Sequence, residues 1–427
     1  MSDTKTDSSQ PFAGIRVVEF GQFVAVPFCA QRLAEGGARV IKVEALEGDP
    51  TRQLQQWAPN ETRIFISRNR GKHSLPLNLR DPGARPVIDA LLRWADVALM
   101  NFRPGLAEKL GLDAATLCDT HPRLVVGSVS AFGSLGPEAD LAGMDIVVQA
   151  RTGLMAANGR TVDGRPAPGD PVSADYMCAM SLAFGVASAL LRRERTGRGG
   201  VVEMSLMKAA MTLANNQLVR SQVHDQPQHD AALERLVALR ARRASYQEQA
   251  DAMPSARAMP MMKVYFRTYE TADAVIAIAC GSHSLRKKFA AAVGFEDPGL
   301  DAMSSRSWDG HYDALRNHLE AIMKSRPSAG WIALLNDAGV PVSAVKFPLE
   351  LFDDPQAEAN GMFHVLEHPT VGSVKLLSPP VALDGHGFKP GAPTAAFGSE
   401  TDTILCELGF AQDDIDNLVR GNVTHRI

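Results

Sequence analysis

Between Gly14 and Phe132 short β-branched and apolar runs recur at spacings that leave room for a helix between neighbours: Ile15–Phe20, Ala38–Glu44, Val97–Phe102 and Leu124–Ser130. Runs that stay apolar on consecutive residues belong to strands covered on both faces, and strands separated by helical stretches pair in parallel through βαβ crossovers. This rhythm predicts an α/β fold with a mostly parallel, buried sheet. Asp81-Pro82 supplies an N-cap and first position ahead of a helix whose apolar face is Val87, Ile88, Leu91 and Leu92, although Pro86 inside it has no account from sequence. A second helix is expected from about Tyr176 to Arg195, small and apolar on nearly every side and so mostly buried, ending at Gly197. A strand at Val201–Ser205 and a helix from Leu206 to about Ser221 follow.

A chain of 427 residues exceeds one ordinary domain, so two are expected. From about His224 to Met262 charges and glutamines become dense, and Met253, Met259, Met261 and Met262 surround Pro254 and Pro260, which reads as a linker and flexible loop. Strands at Lys263–Thr268 and Ala274–Cys280, with helices at about Leu285–Val293 and Tyr312–Lys324, suggest a smaller α+β domain. The expected division is 12–223, 224–328 and 329–427, with helices at Gly330–Ala338 and Ser399–Gly409 in the last part.

The 22% charged fraction and formal net charge of −4 carry no nucleic-acid footprint. We read no apolar run approaching the ~20 residues that cross a bilayer, and Met1–Gln10 is polar, so a cytoplasmic protein without a membrane partner is expected. The five cysteines are scattered without metal-ligand or disulfide spacing, which predicts reduced thiols and no metal site. Cys178, three residues from Asp175, is either a buried spectator or a neighbour of the chemistry.

The first βα turn, Glu19 to Phe28, lacks the GxGxxG pattern of dinucleotide-binding folds, which argues against an NAD-dependent dehydrogenase. Basic residues instead gather at the ends of successive presumed strands, in Lys42-Val-Glu44, Gly48-Asp-Pro-Thr-Arg52 and Arg68-Asn-Arg-Gly-Lys-His-Ser74. Arg and Lys on glycine-containing loops suit the phosphate groups of a ligand, whereas solvated surface charge would explain each residue singly. Asn101-Phe-Arg-Pro-Gly105, continuing to Lys109, adds a ring and an amide that could hold a purine; read alone it is a strand-to-helix loop with Pro104 at the first helical position. Asp175 lies directly before the long helix, where it is either an N-cap or a reactive carboxylate kept ionised by the helix end and sheltered from water. His73, His364, His368 and His386 are read as surface or hydrogen-bonding residues.

Together these motifs resemble the class III CoA-transferase family, which includes α-methylacyl-CoA racemases. The resemblance is carried by Gly14-Ile-Arg-Val-Val-Glu-Phe20, Val40-Ile-Lys-Val-Glu44, Gly48-Asp-Pro-Thr-Arg52, Asn69-Arg-Gly-Lys72 and Asn101-Phe-Arg-Pro-Gly105. It continues through Pro122-Arg-Leu-Val125, Gly143-Met-Asp-Ile146, Asp175, Arg195-Thr-Gly-Arg-Gly199 and Ala338-Gly-Val-Pro341. It implies a Rossmann-like large domain made from both chain ends, a smaller inserted α+β domain, and an interlocked homodimer whose sites lie between the large domain of one chain and the small domain of the other.

By the same resemblance Asp175 is the nucleophile, forming an anhydride and then an aspartyl-CoA thioester. Arg70, Gly71, Lys72, Asn101, Phe102, Arg103 and Lys109 would line the CoA nucleotide site, with Gln22, Phe23, Val24 and Ala25 near the pantetheine arm. The implied partners are an acyl-CoA and a carboxylic acid, with CoA thioester as substrate and no permanently bound cofactor. Met144 stands where the racemase branch places a histidine, which favours transfer over racemisation, with a silent CoA-binding protein as the remaining alternative. Val24 and Val26, and the Met- and Ala-rich stretch Pro254–Met262, depart from formyl-CoA transferases and argue against an oxalate/formate enzyme. A longer acyl group, or a dicarboxylate held by Arg257 or another cation, fits, and succinyl-CoA is a reasonable donor.

Overall fold

The computed structural model describes residues 9–169, 171–254, 259–301, 308–384 and 387–427. Within these, the chain up to Val219 and from Glu358 onward forms one compact unit, and Arg220–Ala357 forms a second.

The first unit is built on six parallel strands. In spatial order they are Gly200–Ser205, Val125–Ser130, Val97–Met100, Arg16–Glu19, Arg39–Glu44 and Lys72–Pro76. The chain steps outward from Arg16–Glu19 through the next two strands, then crosses to the other side at Val97–Met100. The order therefore reverses between Arg16–Glu19 and Val97–Met100, and in open α/β sheets a crevice opens at such a switch point. Both faces are dry, which is why the strands read as unbroken apolar runs. Val17, Val40, Leu99 and Val125 face the helices Ala25–Glu35 and Ser173–Thr196, while Val18, Ile41, Ala98 and Val126 face the helix Arg85–Trp94 and residues Ile404, Leu405 and Ile415.

Pro86 finds its explanation here. Asp81 caps a 3₁₀ turn, Pro82–Ala84, and the α-helix begins only at Arg85, so Pro86 is its second residue, where no intrahelical N–H bond is lost. The long helix differs from expectation in two ways. It spans Ser173–Thr196, 24 residues, long and apolar enough by length and composition to cross a membrane, which corrects the reading that no such run exists. It is also buried on one face only: Ala174, Cys178, Leu182 and Val186 enter the core, whereas Met180, Phe184 and Leu191 are exposed. Its contact with the strand Gly200–Ser205 is close enough that a Cβ on Gly185 would lie 2.5 Å from Val202 Cγ1.

The second unit holds the antiparallel strands Phe266–Glu270, Val275–Ala279 and Val342–Ala344 around Tyr265, Tyr269, Ile276, Phe289 and Leu319. The Tyr265 hydroxyl donates to Asp297 and the Tyr269 hydroxyl to the Val264 carbonyl, both at 2.8 Å. The segment read as a linker instead contains helices Gln226–Ala241 and Tyr246–Asp251. Only Ala232 of the longer one is buried, so its sequence carries no apolar stripe to betray it. Lys263–Thr268 is not one strand: Met262–Tyr265 is helical and the strand starts at Phe266. Residues 329–357, read as part of the return, belong to this unit, with Trp331 and Leu335 in its core. Arg257 and His386 lie outside the described residues.

Candidate active site

A cavity of about 930 Å3 opens at the switch point of the six-stranded sheet, lined by Phe20, Gln22, Phe23 and Ala25 from the first turn and Asn101, Phe102 and Arg103 from the turn after Val97–Met100. Leu141, Gly143, Met144, Val147, Leu206 and Asp175 complete the wall nearest the long helix, and Asn78, Leu79 and Arg80 line it as well. The size is that of a site for a large ligand.

The two turns are tied together. Asn101 Oδ1 accepts the Gln22 N–H at 3.0 Å, and Asn101 Nδ2 donates to the Gln22 carbonyl at 2.9 Å. Phe23, next in the chain, has φ of 67°, a left-handed conformation costly for a bulky side chain and found where surrounding structure over-determines it. Gly21 is required by proximity, since a Cβ there would meet Val26 Cγ1 at 2.1 Å. The Phe102 ring leans on Phe20 at a centroid distance of 6.0 Å.

Asp175 is the third residue of its helix, whose N-cap position is Val172, so it is not the N-cap residue considered from sequence. Its backbone N–H donates to Asp145 Oδ1 at 3.0 Å. Burial pushes the Asp175 carboxyl up to about 7; the Asp145 charge adds to this and the Arg68 guanidinium opposes it. The helix terminus favours the anion, as expected from sequence, while desolvation opposes it. Arg68 is steadied by the Tyr176 hydroxyl, to which Nε and Nη2 donate at 3.3 and 3.2 Å. Cys178 is fully buried and its thiol is pushed up to about 12, by burial and then by Asp175, so it remains a protonated spectator.

The basic triplet does not face the cavity. Arg70, 3% exposed, pairs with Glu35 and donates to the Pro390 carbonyl at 3.1 Å. Lys72, 5% exposed, pairs with Glu19 at 2.7 Å and donates to the Pro27 carbonyl at 2.7 Å. Gly71 approaches Gly391, and its N–H donates to the Ala392 carbonyl at 2.8 Å. The other basic motifs are similarly engaged. Lys42 bridges Glu19 and Asp49 at 3.0 and 2.9 Å, and Arg52 grips Glu44 with both ends of its guanidinium at 2.8 and 2.9 Å over the Phe65 ring. A buried cation without its carboxylate is costly, and each of these buried cations has one.

Val24 precedes the helix Ala25–Glu35, is buried, and is not in the cavity wall. Lys109 lines an adjoining cleft of about 520 Å3 that shares Leu79, Arg80, Leu106 and Leu110 with the main cavity. Pro104 lies in a turn, since the helix after it begins at Leu106 behind a left-handed Gly105. Among the described residues the cations exposed along these two walls are Arg80, Arg103, Lys109 and Arg85, the last paired with Asp89 at 2.7 Å; Arg80 was not singled out from sequence, and Asp145 entered only as part of the Gly143-Met-Asp-Ile146 motif. A signal for Arg80 existed: it closes the apolar run Leu75–Leu79, as Glu44 closes the run before it. His73 pairs with Glu400 at 2.7 Å and His368 bonds Thr394 at 2.8 Å, while burial and then Arg70 hold His364 down to about 4.

The model of CoA-transferase family III matches residues 12–400. The chain belongs to this family. Among its relatives, the acetyl-CoA:oxalate CoA-transferase of Acetobacter aceti is 30% identical over 390 residues, covering 90% of this chain and 92% of the relative. The cinnamoyl-CoA:phenyllactate CoA-transferase of Clostridium sporogenes is 27% identical over 96% of this chain and 97% of its own. Among solved structures, the D175A mutant of Rv3272 from Mycobacterium tuberculosis, numbered in that protein, superposes with a TM-score of 0.75 at 27% identity, covering 93% of this chain and 98% of that one. As a family III CoA-transferase the chain uses CoA thioesters as substrates, and its Rossmann-like α/β unit is the fold those relatives share.

Proposed function

We propose that this enzyme moves coenzyme A from an acyl-CoA donor to a carboxylic acid through an aspartyl-CoA thioester on Asp175. The observation that carries the reading is the position of Asp175, the carboxylate in the wall of the switch-point cavity nearest the long helix, with exposed arginines at Arg80 and Arg103 in the same cavity. Its carboxylate oxygen attacks the thioester carbonyl and expels CoA thiolate, leaving an aspartyl-acyl anhydride. The thiolate then attacks the aspartyl carbonyl of the anhydride and releases the donor's acid, and the acceptor carboxylate reverses both steps. Leu141, Met144, Val147 and Leu206 give the wall beside Asp175 an apolar surface, on which a bound acyl group would cover the anhydride from water.

Arg80, Arg103 and Lys109 suit the phosphates of CoA, Asn101 and Phe102 its adenine, and Gln22, Phe23 and Ala25 the pantetheine arm. Arg70, Gly71, Lys72 and Val24 act behind the wall. No histidine is among the cavity's described lining residues, and Met144 cannot exchange a proton, so a racemase lacks its second acid/base group. Succinyl-CoA is a suitable donor. The exposed Met180, Phe184 and Leu191 suit a homodimer interface, the middle unit being the small domain inserted into the large one, and the compartment is the cytoplasm.

Intact-protein mass spectrometry after incubation with a panel of acyl-CoAs tests the reading. A hydroxylamine-sensitive adduct on the Asp175 peptide, lost in Asp175→Ala, is expected; tight CoA binding without an adduct from any thioester would refute covalent transfer.

A further inference from the structure

Asp145 begins the helix Asp145–Arg151 and is 5% exposed, yet among the described residues it forms no ion pair. Its Oδ1 accepts the Asp175 backbone N–H at 3.0 Å. Its other oxygen accepts from Gln149 Nε2, one helical turn on. Gln149 is itself fully buried, and its Oε1 accepts the Gly169 N–H at 3.3 Å. A continuous chain of hydrogen bonds thus runs from the loop before the long helix, through two buried side chains, to the backbone of Asp175. Buried carboxylates ordinarily gain a cation, and this one gains another carboxylate as its neighbour.

We propose that Asp145 is a positioning residue for the transfer reaction: it fixes the first turn that carries Asp175 and, as a second carboxylate beside it, favours the state in which Asp175 is covalently acylated. The proposal rests on the nucleophilic role given to Asp175 above. In the net half-reaction the Asp175 carboxylate and an acyl-CoA become the aspartyl-CoA thioester and a free carboxylate. One C–S bond is broken and one is made, and the negative charge departs with the released acid. A dry site beside a second anion disfavours the starting carboxylate and leaves the neutral thioester nearly untouched. The charged groups acting on Asp175 are Asp145 from its helix and Arg68 from the helix Arg63–Asn69, and Asp175 in turn holds up the Cys178 thiol in the next turn of its own helix. Burial and Asp145 together outweigh Arg68 there.

Asp145→Asn keeps an oxygen for the Asp175 N–H and removes the charge. The full chain, equilibrated with an acyl-CoA and its free acid, is read by intact mass across pH. The expected result is a fall of about tenfold in the ratio of thioester to free enzyme, with the pH midpoint of adduct formation moved down and the CoA dissociation constant unchanged. Asp145→Ala, which also loses the acceptor, is expected to lose kcat further. Wild-type adduct ratio and pH midpoint in an Asp145→Asn protein that binds CoA normally would overturn the proposal. Should that variant not fold, Gln149→Met decides: it frees Asp145 while leaving both carboxylates, and kcat should fall with KM for CoA unchanged, wild-type values of both counting against us. Absence of adduct on the wild-type protein itself would remove the nucleophilic reading and this one with it.

Discussion

Asn101 holds the backbone of Gln22 at both of its polar groups, accepting from the N–H at 3.0 Å and donating to the carbonyl at 2.9 Å. These two residues end the central strands on either side of the switch point, so the floor of the cavity is fastened by one amide. A leucine at 101 keeps the volume and removes both bonds, at a cost of roughly 1–3 kcal/mol. We expect kcat/KM to fall about five- to hundredfold. Steady-state kinetics and calorimetric CoA binding check this, and wild-type values would show that the tie does not hold the site.

The Asp175 carboxyl stands at about 7 because of burial, then Asp145, against the pull of Arg68. Only the anion attacks, so adduct formation should rise as pH passes through about 7. Stability runs the other way. The native state retains a proton that the unfolded chain releases near 3.8, so stability is lost as pH rises from about 4 to about 7. Asp175→Asn escapes this loss and should be more stable than wild type at pH 8, by about 4 kcal/mol at most, and equal to it near pH 4. Denaturant titrations at both pH values read the difference; a variant no more stable at pH 8 would contradict it.

Lys72 and Arg103 are expected to separate structure from binding. Lys72→Met leaves the fully buried Glu19 with Lys42 as its remaining cation and should cost about 3–5 kcal/mol of stability without weakening CoA affinity in the folded fraction. Arg103→Ala should leave the melting temperature alone and raise the CoA dissociation constant about tenfold, with a shallower salt dependence. Exchanged outcomes would return Lys72 to the ligand site.

Gly21→Ala places a methyl 2.1 Å from Val26 Cγ1, beneath the first turn. Overpacking of this kind costs roughly 1–3 kcal/mol. Differential scanning calorimetry should show the loss, and an unchanged melting temperature would mean that the turn can open.

The parallel sheet was legible because strands buried on both faces leave unbroken apolar runs, and Val17, Val18, Ile41 and Leu99 carry that signal plainly. Asn101 and Phe102 were singled out from their place at a strand end and Gln22 through the family resemblance, and all three line the switch-point cavity. Arg70 and Lys72 misled because the sequence displays a positive charge without its partner: Glu35 lies 35 residues before Arg70, and Glu19 lies 53 before Lys72. The helix Gln226–Ala241 was hidden for the opposite reason, since with only Ala232 buried it has no periodic apolar face. Asp145 was visible only as a member of the Gly143-Met-Asp-Ile146 motif, because its bonds to the Asp175 backbone N–H and to Gln149 leave no residue pattern that states them.

The returning segment has a consequence for how the protein is made. Arg70 donates to the carbonyls of Leu377 and Pro390, Arg52 to that of Ala395, and the Thr424 hydroxyl to that of Pro76. The sheet that is translated first therefore waits for residues translated last. At roughly 5–20 residues per second, several tens of seconds at the slow rate separate Arg52 from Thr424 on the ribosome. Throughout that interval the nascent unit has basic side chains still short of their carbonyl acceptors and an open flank, so its packing is completed only after the C-terminal segment has emerged.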